Sequence, residues 1–322
     1  MPLVSGTTDV YLILGDPVEQ VRAPQVFNLV FARMGIDAVL VPAHVAPEHL
    51  EAFVRTAFLS KNIKGMWVAI PHKAPITQLL DSCTELGRIA GAVNGIRRNA
   101  DGRLKGGLFD GEGFVASLDW FGIGYAGKRA LVIGAGGGAS AIAVSLACAG
   151  ARSCAEVALY DPVPGKAAEV AARIAASSQA VVRAAGSNDP AGYDVVINAS
   201  PLGLLLDDAM PCDVSRMDAH AALVDILMKN QPTPLVRAAR ARGLVAQPGF
   251  EMLIQQTHLY LDFFGFIQAA EQVRQDATFL REMIYPAELA GEIIRTTGSH
   301  STKINHPEET TPCKKSFANA PP

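Results

Sequence analysis

An apolar run, Ala130-Leu131-Val132-Ile133, opens directly into Gly134-Ala135-Gly136-Gly137-Gly138-Ala139, and helix-like residues 141–149 follow. A strand before and a helix after give such glycines a specific use. In the spacing Gly134-x-Gly136-x-x-Ala139 the first glycine permits a tight turn and the second admits a pyrophosphate close to the backbone. The small third residue lets helix and strand pack. The helix N-terminus adds free N–H groups and a partial positive charge for phosphates. Without a ligand, the same residues would be only a turn in an α/β layer. The next apolar run, 156–160, ends in Asp161, and the first basic residue after it is Lys166. An acid at that distance suits a ribose 2′-hydroxyl and repels a 2′-phosphate. The combination reads as an NAD site in preference to NADP. Alternatively, Asp161 does no more than open the Asp161-Pro162 turn.

Two ionisable residues occupy the ends of strand-like runs, where open α/β sheets expose reactive groups. Lys73 follows Val68-Ala69-Ile70-Pro71-His72, with His72 expected to cap the strand end. Asp110 lies in Leu108-Phe109-Asp110-Gly111-Glu112-Gly113-Phe114, read as a strand end and a turn. Each alone reads more simply as a solvated surface charge. His44 and His49 flank a Pro-Glu pair with no third ligand nearby, so no metal site is expected. His258 shares a helical stretch with Gln256 and faces either a cleft or the core.

The elements that must position these residues alternate. Strands are expected at 10–15, 39–41 and 65–70, with helices at 24–34, 47–58, 74–80 and 85–89. A Gly-rich stretch at 122–128 precedes a second series, with strands at 130–133, 156–160, 194–198, 223–226 and 244–246 and a helix at 251–264. Alternation of this kind implies mainly parallel sheets covered on both faces. The fold class is α/β: a Rossmann-type dinucleotide-binding domain plus a smaller α/β substrate domain, with the active site in the cleft between them. At 322 residues the chain exceeds one compact core. The substrate domain is assigned to 1–122, completed by 249–290, and the Rossmann domain to 123–248. Residues 296–322 lose periodicity and collect Ser, Thr, Pro, Lys and Asn, so a disordered tail is expected.

The composition, 49% hydrophobic and 18% charged, is that of a folded enzyme. A net charge of -3 without a basic stripe argues against a nucleic-acid partner. The 5 cysteines include no CxxC pair, which points to a reducing cytoplasm. No basic region and apolar core open the chain, so no signal peptide is expected. The apolar stretch 130–150 reads as a buried strand, turn and helix because of its glycines, and no membrane span is expected.

Taken in order, the segments Gly15-Asp16-Pro17-Val18 with 24–28, Val68-Ala69-Ile70-Pro71-His72-Lys73, Gly91-Ala92-Val93-Asn94 and Asp110-Gly111-Glu112-Gly113-Phe114 resemble the shikimate and quinate dehydrogenases. So do the glycine turn, Asn198-Ala199-Ser200-Pro201-Leu202-Gly203, Thr233-Pro234-Leu235 and Met252-Leu253-Ile254-Gln255-Gln256. The resemblance implies that Lys73 and Asp110 flank the reacting hydroxyl and that Asn94 and Gln256 bind substrate. It also implies that the Asn198 loop and Met228 lie along the cofactor. Alcohol oxidation releases a hydride to the nicotinamide and a proton to a base. A lysine can take that proton when burial lowers its pKa, while the aspartate holds hydroxyl and lysine in line.

The chain departs from that pattern where shikimate would be gripped. Val21 and Ala23 replace two serines that bind the substrate carboxylate. Trp67 and Ala69 replace an asparagine and a threonine before the lysine, and Leu108-Phe109 replaces Asn-Thr before the aspartate. Losing such donors costs discrimination for a polar ring by ratios of roughly 10⁴. Arg22 either clamps a carboxylate in place of the serines or is a surface arginine. Trp67 either lines a flatter ring or fills the core. The expected activity is hydride transfer between NAD and the hydroxyl of a small cyclic hydroxy acid, with shikimate not the best substrate. The alternatives are a true shikimate dehydrogenase using NAD or NADP and an inactive cofactor-binding regulator, the latter disfavoured by retention of Lys73 and Asp110. A monomer or homodimer is expected.

Overall fold

The structure, a computed structural model, describes residues 4–205, 207–289 and 291. The tail expected at 296–322 lies outside the described residues.

The first half builds a six-stranded sheet from β1 (Asp9–Gly15), β2 (Ala38–His44), β3 (Ile63–Val68), β4 (Ser82–Cys83), β5 (Gly95–Arg98) and β6 (Leu104–Gly107), in the order β2-β1-β3-β5-β6-β4. Helices α1 (Ala23–Arg33), α2 (Leu50–Ala57) and α3 (Glu85–Ala90) lie between these strands in sequence, and α4 (Asp110–Trp120) follows them. β1 runs parallel to β2 and β3, but β5 is antiparallel to both β3 and β6. β4 is parallel to β6, so the sheet is mainly parallel as expected, with β5 the one strand that runs against the others. A short turn around Gly102, whose φ is +84°, joins β5 to β6, and so short a connection permits only an antiparallel pair. The helix expected over 47–58 is a 3-10 turn, Pro47–His49, leading into α2. That expected over 74–80 is a 3-10 segment of five residues opened by Pro75.

The second sheet is built from β7 (Arg129–Ile133), β8 (Glu156–Tyr160), β9 (Val181–Ala184), β10 (Val195–Asn198), β11 (Ala222–Asp225) and β12 (Val245–Pro248). Its order is β12-β11-β10-β7-β8-β9 and every pairing is parallel. β10 and β11 are buried along their whole length, as continuous apolar runs covered on both faces must be. Helices α5 (Gly137–Ala147), α6 (Lys166–Ala175) and α7 (Pro234–Ala241) cover it. Among the described residues no helix is long and apolar enough to cross a membrane. The apolar stretch at 130–150 is β7, the glycine turn and α5.

Helices α8 (Phe250–Phe264), α9 (Ile267–Gln275) and α10 (Thr278–Ile284) return to the first sheet. Trp67 stacks on Tyr260 and Phe264, with ring centroids 5.2 and 4.3 Å apart, and Phe27 meets it edge-on at 4.7 Å. Trp67 is 1% exposed and belongs to the core. A buried ion pair, Glu251–Arg281, ties α8 to α10, and the Arg281 guanidinium lies 3.7 Å over the Trp120 ring of α4. α4 packs between α5 and α8 through two glycines. A Cβ at Gly111 would lie 2.0 Å from the Ala141 carbonyl oxygen, and one at Gly113 would lie 2.6 Å from that of Met252.

Candidate active site

Lys73 and Asp110 form an ion pair in which the side chains are 16% and 6% exposed. Lys73 lies on the turn after β3. There the buried His72 ring hydrogen-bonds the Val45 carbonyl at 2.7 Å, and the Lys73 carbonyl accepts from Val93 N at 2.9 Å. Asp110 does not end a strand, as its flanking residues imply, but begins α4. There the helix N-terminus favours a negative charge. The misreading has a clear source, because Gly111 and Gly113 look like turn residues whereas they are the contact points of a helix packed on both sides. A Cβ at Gly137 would lie 2.8 Å from Lys73 Cβ, so the lysine stem rests on the first turn of α5. The two sheets thus meet at the Lys73–Asp110 pair.

Asn94 and Gln256 come together as well. Asn94 is 1% and Gln256 4% exposed. Asn94 Nδ2 donates to Gln256 Oε1 at 3.4 Å, and Asn94 Oδ1 accepts from Phe109 N at 3.0 Å. Tyr260 OH donates to the Asn94 carbonyl at 3.0 Å, a residue that sequence reasoning passed over. Its signal was available, since Tyr260 lies four residues after Gln256 on the same face of α8. Arg22 stands before α1, partly exposed, with its guanidinium on Gln25. His44 pairs with Asp16 at 2.7 Å. His258 is half-buried, and burial, followed by the charge of Arg274, holds its ring below the usual histidine range.

On the second sheet, α5 begins at Gly137, four residues before the expected start. Residues 137–140 supply its first turn even though two of them are glycine. Gly134 takes φ +116°, and a Cβ there would lie 2.6 Å from the Ala199 carbonyl oxygen. In front of Gly136 there is open space, and a Cβ at Gly138 would find its nearest neighbour, Ile226, 3.8 Å away. This cradle, beside the first N–H groups of α5, fits a pyrophosphate. Ala135 N is turned the other way and donates to Asp161 Oδ2 at 2.9 Å. Asp161 also accepts from Lys166 Nζ at 3.0 Å and Val163 N at 3.1 Å. Burial opposes the Asp161 charge, but the hydrogen bonds from Lys166, Val163 and Ala135 outweigh it and hold the carboxyl below its usual range.

Asn198 is fully buried, with its amide spent inside the protein. Met228 is half-buried against the aromatic cluster of the first sheet, as are Val21 and Ala69.

Residues 13–96 match the model of the shikimate dehydrogenase substrate-binding domain. The chain is 36% identical over 260 residues to a shikimate dehydrogenase (NADP+) of Rubrobacter xylanophilus, covering 80% of this chain and 90% of that one. A crystal structure of a shikimate dehydrogenase in complex with NADP+ matches with a TM-score of 0.75 at 26% identity, over 88% of this chain and 98% of the other. A 5-ketofructose reductase from a Gluconobacter strain matches with a TM-score of 0.71 at 27% identity, over 84% and 100%. Fold and site together define an NAD(P)-dependent dehydrogenase acting on a CH–OH group. The chain belongs to the shikimate dehydrogenase family.

Proposed function

We propose that this dehydrogenase works with NAD on a small cyclic hydroxy acid that carries fewer hydroxyls than shikimate, with Lys73 and Asp110 handling the proton. The observation that carries this reading is that Val21, Ala69 and Met228, all apolar, are only half-buried. They belong to the aromatic cluster of Trp67, Phe109 and Tyr260, but they keep exposed surface where the buried members keep almost none. A ligand seated against these side chains would meet methyl and thioether groups. A ring with several hydroxyls would leave them without partners there, at a cost of about 1–3 kcal/mol for each group left unsatisfied.

Bound nicotinamide supplies the hydride acceptor or donor. Lys73 and Asp110 supply the rest. In the ion pair the ammonium has a proton to give to the oxygen of a carbonyl substrate, and in the reverse direction the hydroxyl proton leaves through the same pair. Asp110 keeps the lysine nitrogen in one place, and Gly137 under the lysine stem limits where the chain can swing. Asn94 and Gln256 each keep hydrogen-bonding capacity beyond their mutual contact, which suits them to orient a hydroxyl. Arg22, at the open end of α1, is the cation available for a substrate carboxylate. The preference for NAD rests on the charged Asp161 at the end of β8. Lys166 on the same carboxylate reduces its repulsion of a 2′-phosphate, so the preference is modest.

The reading is tested by the double substitution Val21→Ser with Ala69→Thr. It should raise kcat/KM for shikimate relative to wild type and lower it for less hydroxylated rings. An unchanged ratio would remove both positions from the substrate pocket. True shikimate dehydrogenase activity is the second reading, favoured by the identity to the Rubrobacter enzyme.

A further inference from the structure

Two loops leave the carboxyl ends of β10 and β11 beside the glycine turn, and one buried carboxylate joins them. Asp225, the last residue of β11, is 0% exposed. Its Oδ1 accepts from Asn198 Nδ2 at 3.0 Å and from Leu227 N at 3.3 Å, and its Oδ2 accepts from Thr233 Oγ1 at 2.6 Å. Asn198 carries the tie into the first loop. Its Nδ2 also donates to the Leu202 carbonyl at 3.0 Å, and its Oδ1 accepts from Ser200 Oγ at 2.6 Å and Ser200 N at 3.1 Å. Gln231 closes the second loop, donating to the carbonyls of Asp225 at 3.1 Å and Leu227 at 2.8 Å. Thr233 caps α7. Asn230 then bridges the loops directly by donating to the Leu204 carbonyl at 2.8 Å.

All of these partners are neutral donors, and burial pushes the Asp225 carboxyl up to about 6. A carboxylate kept there without a cation is costly to the fold, which directs attention to what it holds. In a doubly wound sheet the cofactor crosses the strand ends where the order reverses, here between β7 and β10. Asp161 ends β8 on one side of that point, the side of the adenosine ribose. The loops from β10 and β11 lie on the other. The first passes so close to the turn that a Cβ at Gly134 would strike Ala199, and the second packs Met228 against the core of the first sheet.

We propose that Asp225 is a positioning residue for the nicotinamide half of the cofactor, acting through Asn198 and Thr233 to hold both loops as one wall. This rests on the cofactor lying over the glycine turn.

The test compares binding of NADH and of ADP-ribose, followed by fluorescence and calorimetry respectively. Asp225→Asn keeps the shape but weakens both ties: its oxygen offers Asn198 a neutral acceptor, and the Thr233 hydroxyl must turn from donating to a carboxylate to accepting from an amide. NADH affinity should fall roughly tenfold or more, the weight of a hydrogen bond to a charged group, while ADP-ribose affinity stays within about twofold, because the adenosine side is untouched. Thr233→Val should weaken NADH in the same way, and Thr233→Ser, which keeps the hydroxyl, should recover it. Wild-type NADH affinity in Asp225→Asn, or equal loss of both ligands, would overturn the proposal. If Asp225→Asn does not fold, the Thr233 pair decides by the same criteria. Gly134→Val separates the premise from the inference: it should abolish binding of both ligands. Retention of both would show that the cofactor reading had failed.

Discussion

At the scale of single residues, the chemistry resides in a few polar groups placed among apolar ones. Lys73→Ala should leave NADH binding intact and lower turnover by about 10² to 10⁴, the usual worth of a positioned acid or base. Unchanged turnover would remove the lysine from the mechanism. Asp161→Asn should improve NADP use relative to NAD, read as the ratio of kcat/KM for the two cofactors, and no change would mean that Asp161 only shapes its turn. Asp225 makes a separate prediction about pH. Its folded value of about 6 lies above the 3.9 or so of a free aspartate, so the folded chain holds a proton that the unfolded chain has released. Stability from this group is therefore present below about pH 4 and lost as pH rises through 6, by roughly 3 kcal/mol for two units. Melting curves of wild type and Asp225→Asn should diverge across that window, and parallel curves would contradict the assignment. The glycine turn before α5 and Asp161 after β8 were legible in the sequence because their local pattern carries their meaning, unlike Asp110 and the glycines of α4. Tyr260 and Asp225 were not, because each acts through a partner distant in sequence, Asn94 and Asn198.

At the scale of elements, periodicity served well where an element is long and wholly buried. β8 spans the expected residues, and β7, β10, β11, β12 and α8 depart from expectation by a residue or two. It failed where tertiary contact overrides local composition. α4 is the instructive case, a helix with glycines in its first turn. Gly111→Ala would push a methyl group into the Ala141 carbonyl 2.0 Å away, and neither backbone can yield without moving its helix. The expected cost is about 1–3 kcal/mol, as for other overpacked contacts. A melting temperature within a degree of wild type would show that α4 and α5 slide freely. A companion loss of kcat is expected because Asp110 opens the same helix. The short β5–β6 hairpin was missed for a different reason: Arg97, Arg98, Arg103 and Lys105 hide its alternation, although the Asp101-Gly102 pair marks the turn.

At the scale of the whole molecule, the C-terminal helices complete the first core, and the Glu251–Arg281 pair is a buried polar link among them. Burial raises the Glu251 carboxyl, with Arg281 pulling against it. Arg281→Met should destabilise by about 3–5 kcal/mol, because it leaves Glu251 buried and unpaired, whereas adding Glu251→Leu should recover most of the loss. Equal melting temperatures for the single and double variants would refute the pairing. Two sheets and a 36% identity over 80% of the chain describe a member of the shikimate dehydrogenase family, and the proposed change of substrate is the central claim. The most direct measurement is kcat/KM of the wild-type enzyme with NAD for shikimate and for 3-hydroxycyclohex-1-enecarboxylate, which keeps the ring, carboxylate and one hydroxyl. The less hydroxylated acid should be preferred by on the order of 10² or more, as two unsatisfied hydroxyls at 1–3 kcal/mol each imply. Preference for shikimate would contradict the account.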